Sequence, residues 1–64
     1  MFKLRIDTNG PGFVYSPRET LARILVETAS ALMRGTGPLQ VVPLRDSSGN
    51  KVGEAVYKLE NPNE

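Results

Sequence analysis

The chain has 64 residues, no cysteine and no histidine, and its eight basic and seven acidic residues give a net charge of +1. This composition excludes disulfides and thiolate zinc sites, removes the commonest general base, and is too balanced to indicate a phosphate-binding surface. A chain this short forms one small domain with a core worth about 3–5 kcal/mol, which leaves self-association as the available reinforcement. Because no apolar run is long enough to span a membrane and the N-terminus lacks the core of a signal peptide, we expect a cytoplasmic protein.

Residues 2–8 alternate between apolar and polar side chains, which predicts a strand with one buried face. The two faces carry Phe2, Leu4 and Ile6 on the apolar side, and Lys3, Arg5 and Asp7 on the polar side. The strand ends at residues 9–12, because two glycines and a proline cannot continue a ladder.

Two aromatic residues, Phe13 and Tyr15, lie in the connection that follows. Such residues either close one end of the core as a lid or stay exposed as contacts for a partner. The loop of residues 9–16 also precedes a helix N-terminus, where backbone N–H groups can hold an anion such as a nucleotide phosphate. For that alternative the loop lacks the third glycine and the Gly-Lys-Ser/Thr ending of a phosphate loop.

The only long periodic segment runs from Ser16 to Gly35 and predicts a helix of about 27 Å. Ser16 and Glu19 have the spacing of a capping box, and Pro17 occupies the first helical position, where proline is tolerated best. Gly35 is predicted to end the helix in the left-handed conformation.

The apolar sector of this helix spans roughly 220°, which is more than a small sheet covers. Its centre consists of Leu21, Ile24, Leu25, Thr28, Ala31 and Leu32, and one flank adds Ala22, Val26, Ala29 and Met33. The polar face is assigned to Glu19, Thr20, Arg23, Glu27, Ser30 and Arg34. The larger flank residues, Val26 and Met33, are candidates for a second interface. The alternative is that one exposed valine and one exposed methionine need no partner.

The segment after the helix predicts a strand and a tight turn. Residues 39–45 form the strand, and Pro43 indicates that it lies at an edge of the sheet or is bulged there, because proline cannot donate to a ladder. The turn begins at Asp46, which suits the first position of a type I turn, and Gly49 takes the left-handed position that follows.

Residues 51–59 return as the last strand, in which Gly53 marks either a bulge or a close approach of the helix. The alternation of this strand turns Ala55, Tyr57 and Leu59 to one side, and Glu54, Val56 and Lys58 to the other. The tail of residues 60–64 is polar and is expected to fray.

These elements predict a single α+β domain over residues 1–64, a strand-helix-strand-strand unit with one helix on a three-stranded, mostly antiparallel sheet. The helix returns the chain, so the first two strands run in the same direction and the third runs opposite. We prefer the spatial order 1-3-2, because it keeps the strand with Pro43 outside. The order 1-2-3 with a right-handed crossover is also allowed.

The sequence contains no pattern typical of catalysis or metal binding. Its serines have no histidine to activate them, and its seven carboxylates form no cluster with metal-ligand spacing. We therefore expect no enzymatic activity, no metal and no cofactor. The alternative to protein binding is a small nucleic-acid or nucleotide binding module that uses Lys3, Arg5 and Lys58 on the outer sheet face, although aromatic stacking residues are not expected there.

Three stretches of the chain resemble a group of short phage and prophage proteins. They are the opening MFKLRIDT, the helical RETLARILVETASAL and the D-x-x-G-N-x-V-G pattern from Asp46 to Gly53. With the shared strand-helix-strand-strand order, the resemblance covers essentially the whole chain. The loop of residues 10–15 departs from the group's pattern, which has an acidic, alanine-containing stretch there. Members are mostly of unassigned function, and small proteins of this genomic setting often bind a host protein as accessory or counter-defence factors.

The resemblance and the missing catalytic groups lead to a functional hypothesis. We expect a phage or mobile-element accessory protein that acts by stoichiometric binding to a host protein, for example as an anti-CRISPR-like inhibitor of a defence nuclease. We also expect a homodimer, as the small core favours. The predicted contact residues are Phe13, Tyr15, Arg23, Val26 and Met33.

Overall fold

The computed structural model describes residues 1–59. Its elements are β1 (Phe2–Ile6), a 3-10 turn (Pro11–Phe13), α1 (Pro17–Arg34), β2 (Leu39–Arg45) and β3 (Lys51–Lys58). The predicted order of strand, helix, strand and strand is confirmed. The predicted polar tail of residues 60–64 lies outside the described residues.

The three strands form one sheet in the order β1-β3-β2, so β3 lies in the middle and pairs antiparallel with both neighbours. This confirms the preferred order, with Pro43 in an edge strand, where its missing N–H weakens one ladder instead of two. Residues paired across strands share a face. The face towards the helix carries Phe2, Leu4, Ile6, Gln40, Val42, Leu44, Gly53, Ala55 and Tyr57.

A bulge shifts the start of β3 by one residue. Leu44 pairs with Gly53 and Arg45 pairs with Lys51, so Val52 is the extra residue on β3. Strict alternation would turn Val52 outwards and Lys51 towards the helix; the bulge reverses this, leaving Val52 buried and Lys51 exposed. The bulge predicted at Gly53 is confirmed. The backbone that approaches this glycine closely belongs to β1 and not to the helix.

The start of α1 differs from the prediction in its cap. Ser16 makes no side-chain capping hydrogen bond, so the predicted capping box with Glu19 is wrong. The Ser16 carbonyl accepts the first helical hydrogen bond from the Thr20 N–H at 3.0 Å, and Pro17 takes the first helical position as predicted. The entry of the chain into the helix is therefore set by its backbone and by Pro17, whose φ is already helical.

The last turn of α1 receives a hydrogen bond from a side chain of β2. Gly35 has an extended backbone (φ −75°), so the predicted left-handed cap is wrong. The Gln40 side chain fills the space where a Cβ of residue 35 would lie, and its Nε2 donates to the Ala31 carbonyl at 3.0 Å. Because β2 supplies this donor to the last turn, Gly35 can leave the helix extended, and Gly37 carries the positive φ (92°) instead.

The core lies between α1 and the sheet and is small. Its buried apolar residues are Phe13, Ile24, Leu44, Val52 and Ala55. The buried line of α1 consists of Thr20, Ile24 and Thr28, so it is displaced from the predicted centre: Leu25 is exposed, and Thr20, assigned to the polar face, is buried. Both threonine hydroxyls have hydrogen-bond acceptors, which makes their burial acceptable.

Candidate interaction surfaces

Asp46 holds the β2–β3 turn together. Its buried carboxylate accepts the backbone N–H groups of Ser48 and Asn50, each at 2.9 Å, and also that of Gly12. Burial alone would raise the pKa of Asp46, but these hydrogen bonds outweigh it, so the pKa lies below its ordinary value. The predicted turn is confirmed, with the Gly49 N–H donating to the Asp46 carbonyl at 3.0 Å and Gly49 left-handed (φ 85°).

Gly12 is held on both sides, which fixes the aromatic loop. Its N–H donates to Asp46, and its carbonyl accepts from Thr20 Oγ1 at 3.0 Å. The next residue, Phe13, is only 4% exposed and closes the end of the core, as the lid interpretation predicts. Phe13 is thus not placed to be a surface contact. Tyr15 is 95% exposed and is the aromatic residue of this loop that remains available to a partner.

The helix ridge, defined as Ala22, Val26, Ala29 and Met33, runs along the side of α1 away from the sheet. All four residues are exposed, with Val26 at 68% and Met33 at 87%. The predicted spare flank therefore stays exposed among residues 1–59. Arg23 lies beside the ridge, in an open cleft that it shares with Tyr15 and Glu19.

The outer sheet face is the side of the sheet away from α1, and it collects most of the positive charge. Its cations are Lys3, Arg5, Arg45, Lys51 and Lys58, all exposed. Two carboxylates accompany them among residues 1–59: Glu54, which pairs with Lys51 at 3.4 Å, and Asp7, which follows β1 and lines one cleft with Arg5 and Lys51. Five cations and two carboxylates give this face a net charge of +3, against +1 for the whole chain.

Apolar side chains separate these cations. They form a stripe along the edge strand and into the centre of the sheet: Leu39, Val41, Pro43 and Val56. The aromatic residues of the strands lie on the opposite side, where Phe2 pairs with Tyr57. The outer sheet face therefore combines positive charge with aliphatic contacts and has no aromatic stacking platform.

Sequence reasoning placed three of the five cations on this face and missed two. Lys3, Arg5 and Lys58 follow from simple alternation. Arg45 and Lys51 pair across the bulge. The sequence predicted a bulge at Gly53 but not its effect, which is to exchange the two faces of β3 for the residues before it.

The helix covers the sheet unevenly. Leu44 and Ala55, in β2 and β3, are buried, whereas Phe2 and Leu4 in β1 face the same side and stay exposed. This incomplete coverage leaves the apolar side chains of β1 accessible to solvent on the side that faces the helix. The sequence had indicated only that the helix carries more apolar surface than the sheet covers.

Other kinds of site find no geometric support among residues 1–59. No three acidic, cysteine or histidine residues lie together there in a way that could hold a metal ion. No helix among residues 1–59 is both long enough and apolar enough to cross a membrane. Comparison with protein-family models, curated proteins and solved structures finds no match to this chain, so the resemblance to phage proteins stays a prediction.

Proposed function

We propose that this chain is a non-enzymatic protein-binding module whose outer sheet face docks on an acidic protein surface. One observation carries the proposal: five of the eight cations of the chain lie on this face, against two carboxylates, Glu54 and Asp7. Opposite charge on a partner would steer the encounter and set the orientation of the complex.

The aliphatic stripe favours a protein as the partner. Val41 and Val56 lie at the middle of the face as a cross-strand pair, with cations on both sides. An apolar centre inside a charged rim is the usual arrangement of a protein interface. A partner with acidic residues around an aliphatic patch would match both parts of this surface. Arg5, next to Glu54, adds the bidentate donor that carboxylates prefer.

Nucleic acid is the second candidate, because the same net charge of +3 attracts phosphates. Sheets that bind single strands usually stack bases on aromatic side chains, and this face offers aliphatic ones. The two candidates differ in their dependence on salt and nuclease. A host protein as the target, and inhibition of a defence nuclease, remain predictions that rest on the resemblance to phage proteins.

The test is capture from bacterial lysate with the tagged chain after nuclease treatment, using two variants that change charge equally. Arg5→Glu reverses a charge on the outer sheet face, and Arg18→Glu reverses an exposed charge on α1. We expect the wild type and Arg18→Glu to retain the same protein and Arg5→Glu to lose it. The purified partner should then bind with fixed stoichiometry and should carry an acidic patch.

Two outcomes would contradict the proposal. If nuclease removes everything bound, and a random-sequence oligonucleotide binds with an affinity that falls steeply with salt, the chain is a nucleic-acid binder. If a protein is captured equally by both variants, the outer sheet face is not its docking site. Thermal unfolding of each variant is measured in parallel, so that loss of binding is not confused with loss of the fold.

A further inference from the structure

We propose that two copies of this chain pair through the helix ridge, with the two α1 helices antiparallel. This inference concerns the side of the molecule opposite the outer sheet face and does not depend on the proposed function. The ridge residues follow each other at steps of four, three and four positions. That spacing keeps them within about 60° of one another, which forms the narrow seam of a helix pair.

The side chains of the seam are self-complementary in one orientation. In the antiparallel arrangement Ala22 lies opposite Met33 of the second copy, and Val26 lies opposite Ala29. Each large side chain then packs on a small one, which fills space and lets the helices approach closely. A parallel, in-register pair would place Met33 on Met33 and Ala22 on Ala22, which crowds one end and leaves a gap at the other.

Charge complementarity selects the same orientation. Glu19 in the first turn and Arg34 in the last turn border the seam along the same edge, within about 60° around the helix. Antiparallel pairing brings Glu19 of each copy to Arg34 of the other and aligns the helix dipoles favourably. A parallel pair would keep both Glu19 residues at one end of the dimer and both Arg34 residues at the other, so neither would meet its opposite charge. Arg34 already donates from Nη1 to Ser30 Oγ at 2.7 Å, which holds it along this edge while its other donors remain available.

A second copy is the partner that this geometry fits best. A twofold interface requires a patch that is complementary to itself, and the ridge meets that condition in both side-chain size and charge. Pairing would also cover the apolar ridge that the small fold leaves exposed. The outer sheet faces would then lie on opposite sides of the dimer, so that one dimer presents two docking surfaces.

The first test measures mass by sedimentation over a range of protein concentrations. We expect a dimer for the wild type and a monomer for Val26→Glu, because the glutamate would be buried in the seam without a partner. Val14→Glu is the matched control: Val14 is 66% exposed, close to Val26 at 68%, and lies outside the ridge. A monomeric wild type, or a Val26→Glu variant that remains dimeric, would overturn the proposal.

The orientation is tested by charge exchange between chains. Glu19→Lys and Arg34→Glu each create two like-charge contacts in the homodimer, so each should weaken dimerisation roughly tenfold. Mixing the two variants should form a heterodimer of wild-type affinity, because Lys meets Glu at one end and Arg meets Glu at the other. Within one chain the two sites are about 22 Å apart along the helix, so an intramolecular contact cannot produce this rescue.

Failure to rescue, with the wild type still dimeric, would overturn the antiparallel register. Capture experiments keep this result separate from the proposed function. A monomeric Val26→Glu variant should still bind the acidic partner through its outer sheet face, whereas Arg5→Glu should lose that partner and remain dimeric.

Discussion

Two buried threonines on the same helix should respond differently to the same substitution. Thr20 Oγ1 donates to the carbonyl of Gly12, eight residues away in the aromatic loop, at 3.0 Å. Thr28 Oγ1 donates to the carbonyl of Ile24, one turn earlier in the helix, at 2.7 Å. Valine has nearly the shape of threonine and a similar helix propensity, so both substitutions remove mainly the hydroxyl hydrogen bond.

The two bonds differ in what remains after the change. Thr20→Val takes away the donor that ties Gly12 to α1, and a partly buried carbonyl without its donor costs about 1–2 kcal/mol. Thr28→Val leaves a carbonyl inside a continuous helical ladder and buries a methyl group, so we expect a change of about 0.5 kcal/mol or less. Against a core worth about 3–5 kcal/mol, the first loss is large.

The assay is urea unfolding followed by far-ultraviolet circular dichroism. Wild type and both variants are compared at one protein concentration, because dimerisation would make stability depend on concentration. The midpoint should fall clearly for Thr20→Val and little for Thr28→Val, with similar denaturant slopes. Equal losses, or a larger loss for Thr28→Val, would refute the idea that the Gly12 contact holds the loop on the helix.

Two further predictions concern the turn and the bulge. Because the folded pKa of Asp46 is lowered, its contribution to stability is complete above the unfolded value near 3.8 and is lost as pH falls through the folded value. Asp46→Asn should therefore reduce stability at neutral pH and flatten the acid side of a stability-against-pH curve; an unchanged acid limb would contradict this role. Gly53→Ala should prevent β1 from pairing, because the added Cβ meets the Arg5 carbonyl, whereas Gly10→Ala has open space around it and should fold normally. Amide hydrogen exchange of β1 separates these two outcomes, and normal protection in Gly53→Ala would refute the close approach.

The secondary structure of this protein was largely predictable from its sequence because the relevant signals are local. Period-two alternation predicted β1, the 3.6-residue period predicted α1, and Asp46 with Gly49 predicted the turn. Pro43 also predicted its own strand as an edge, since a missing N–H excludes the centre of a sheet. With the direction of each strand set by the helix, these features were enough to favour the order 1-3-2.

The tertiary structure decided the details that depend on contacts between different elements of the fold. Ser16 and Gly35 are residue types that favour helix caps, but neither caps α1 in the predicted way. The last turn of the helix receives its hydrogen-bond donor from Gln40, a residue in β2. Thr20 appears polar on a helical wheel and is buried because the Gly12 carbonyl accepts a hydrogen bond from its hydroxyl. In each case a residue outside the helix, eight or nine positions away, satisfied a polar group, and no pattern within the helix encodes such a partner.

The functional surfaces divide in the same way. The sequence alone determined that α1 has more apolar surface than three strands can cover, and that Lys3, Arg5 and Lys58 share a face. Only the folded sheet assembled the face with a net charge of +3, because the bulge at Val52 reverses the alternation and turns Lys51 outwards beside Arg45. A single extra residue exchanges the two faces of a strand, and whether it is inserted depends on the pairing of all three strands.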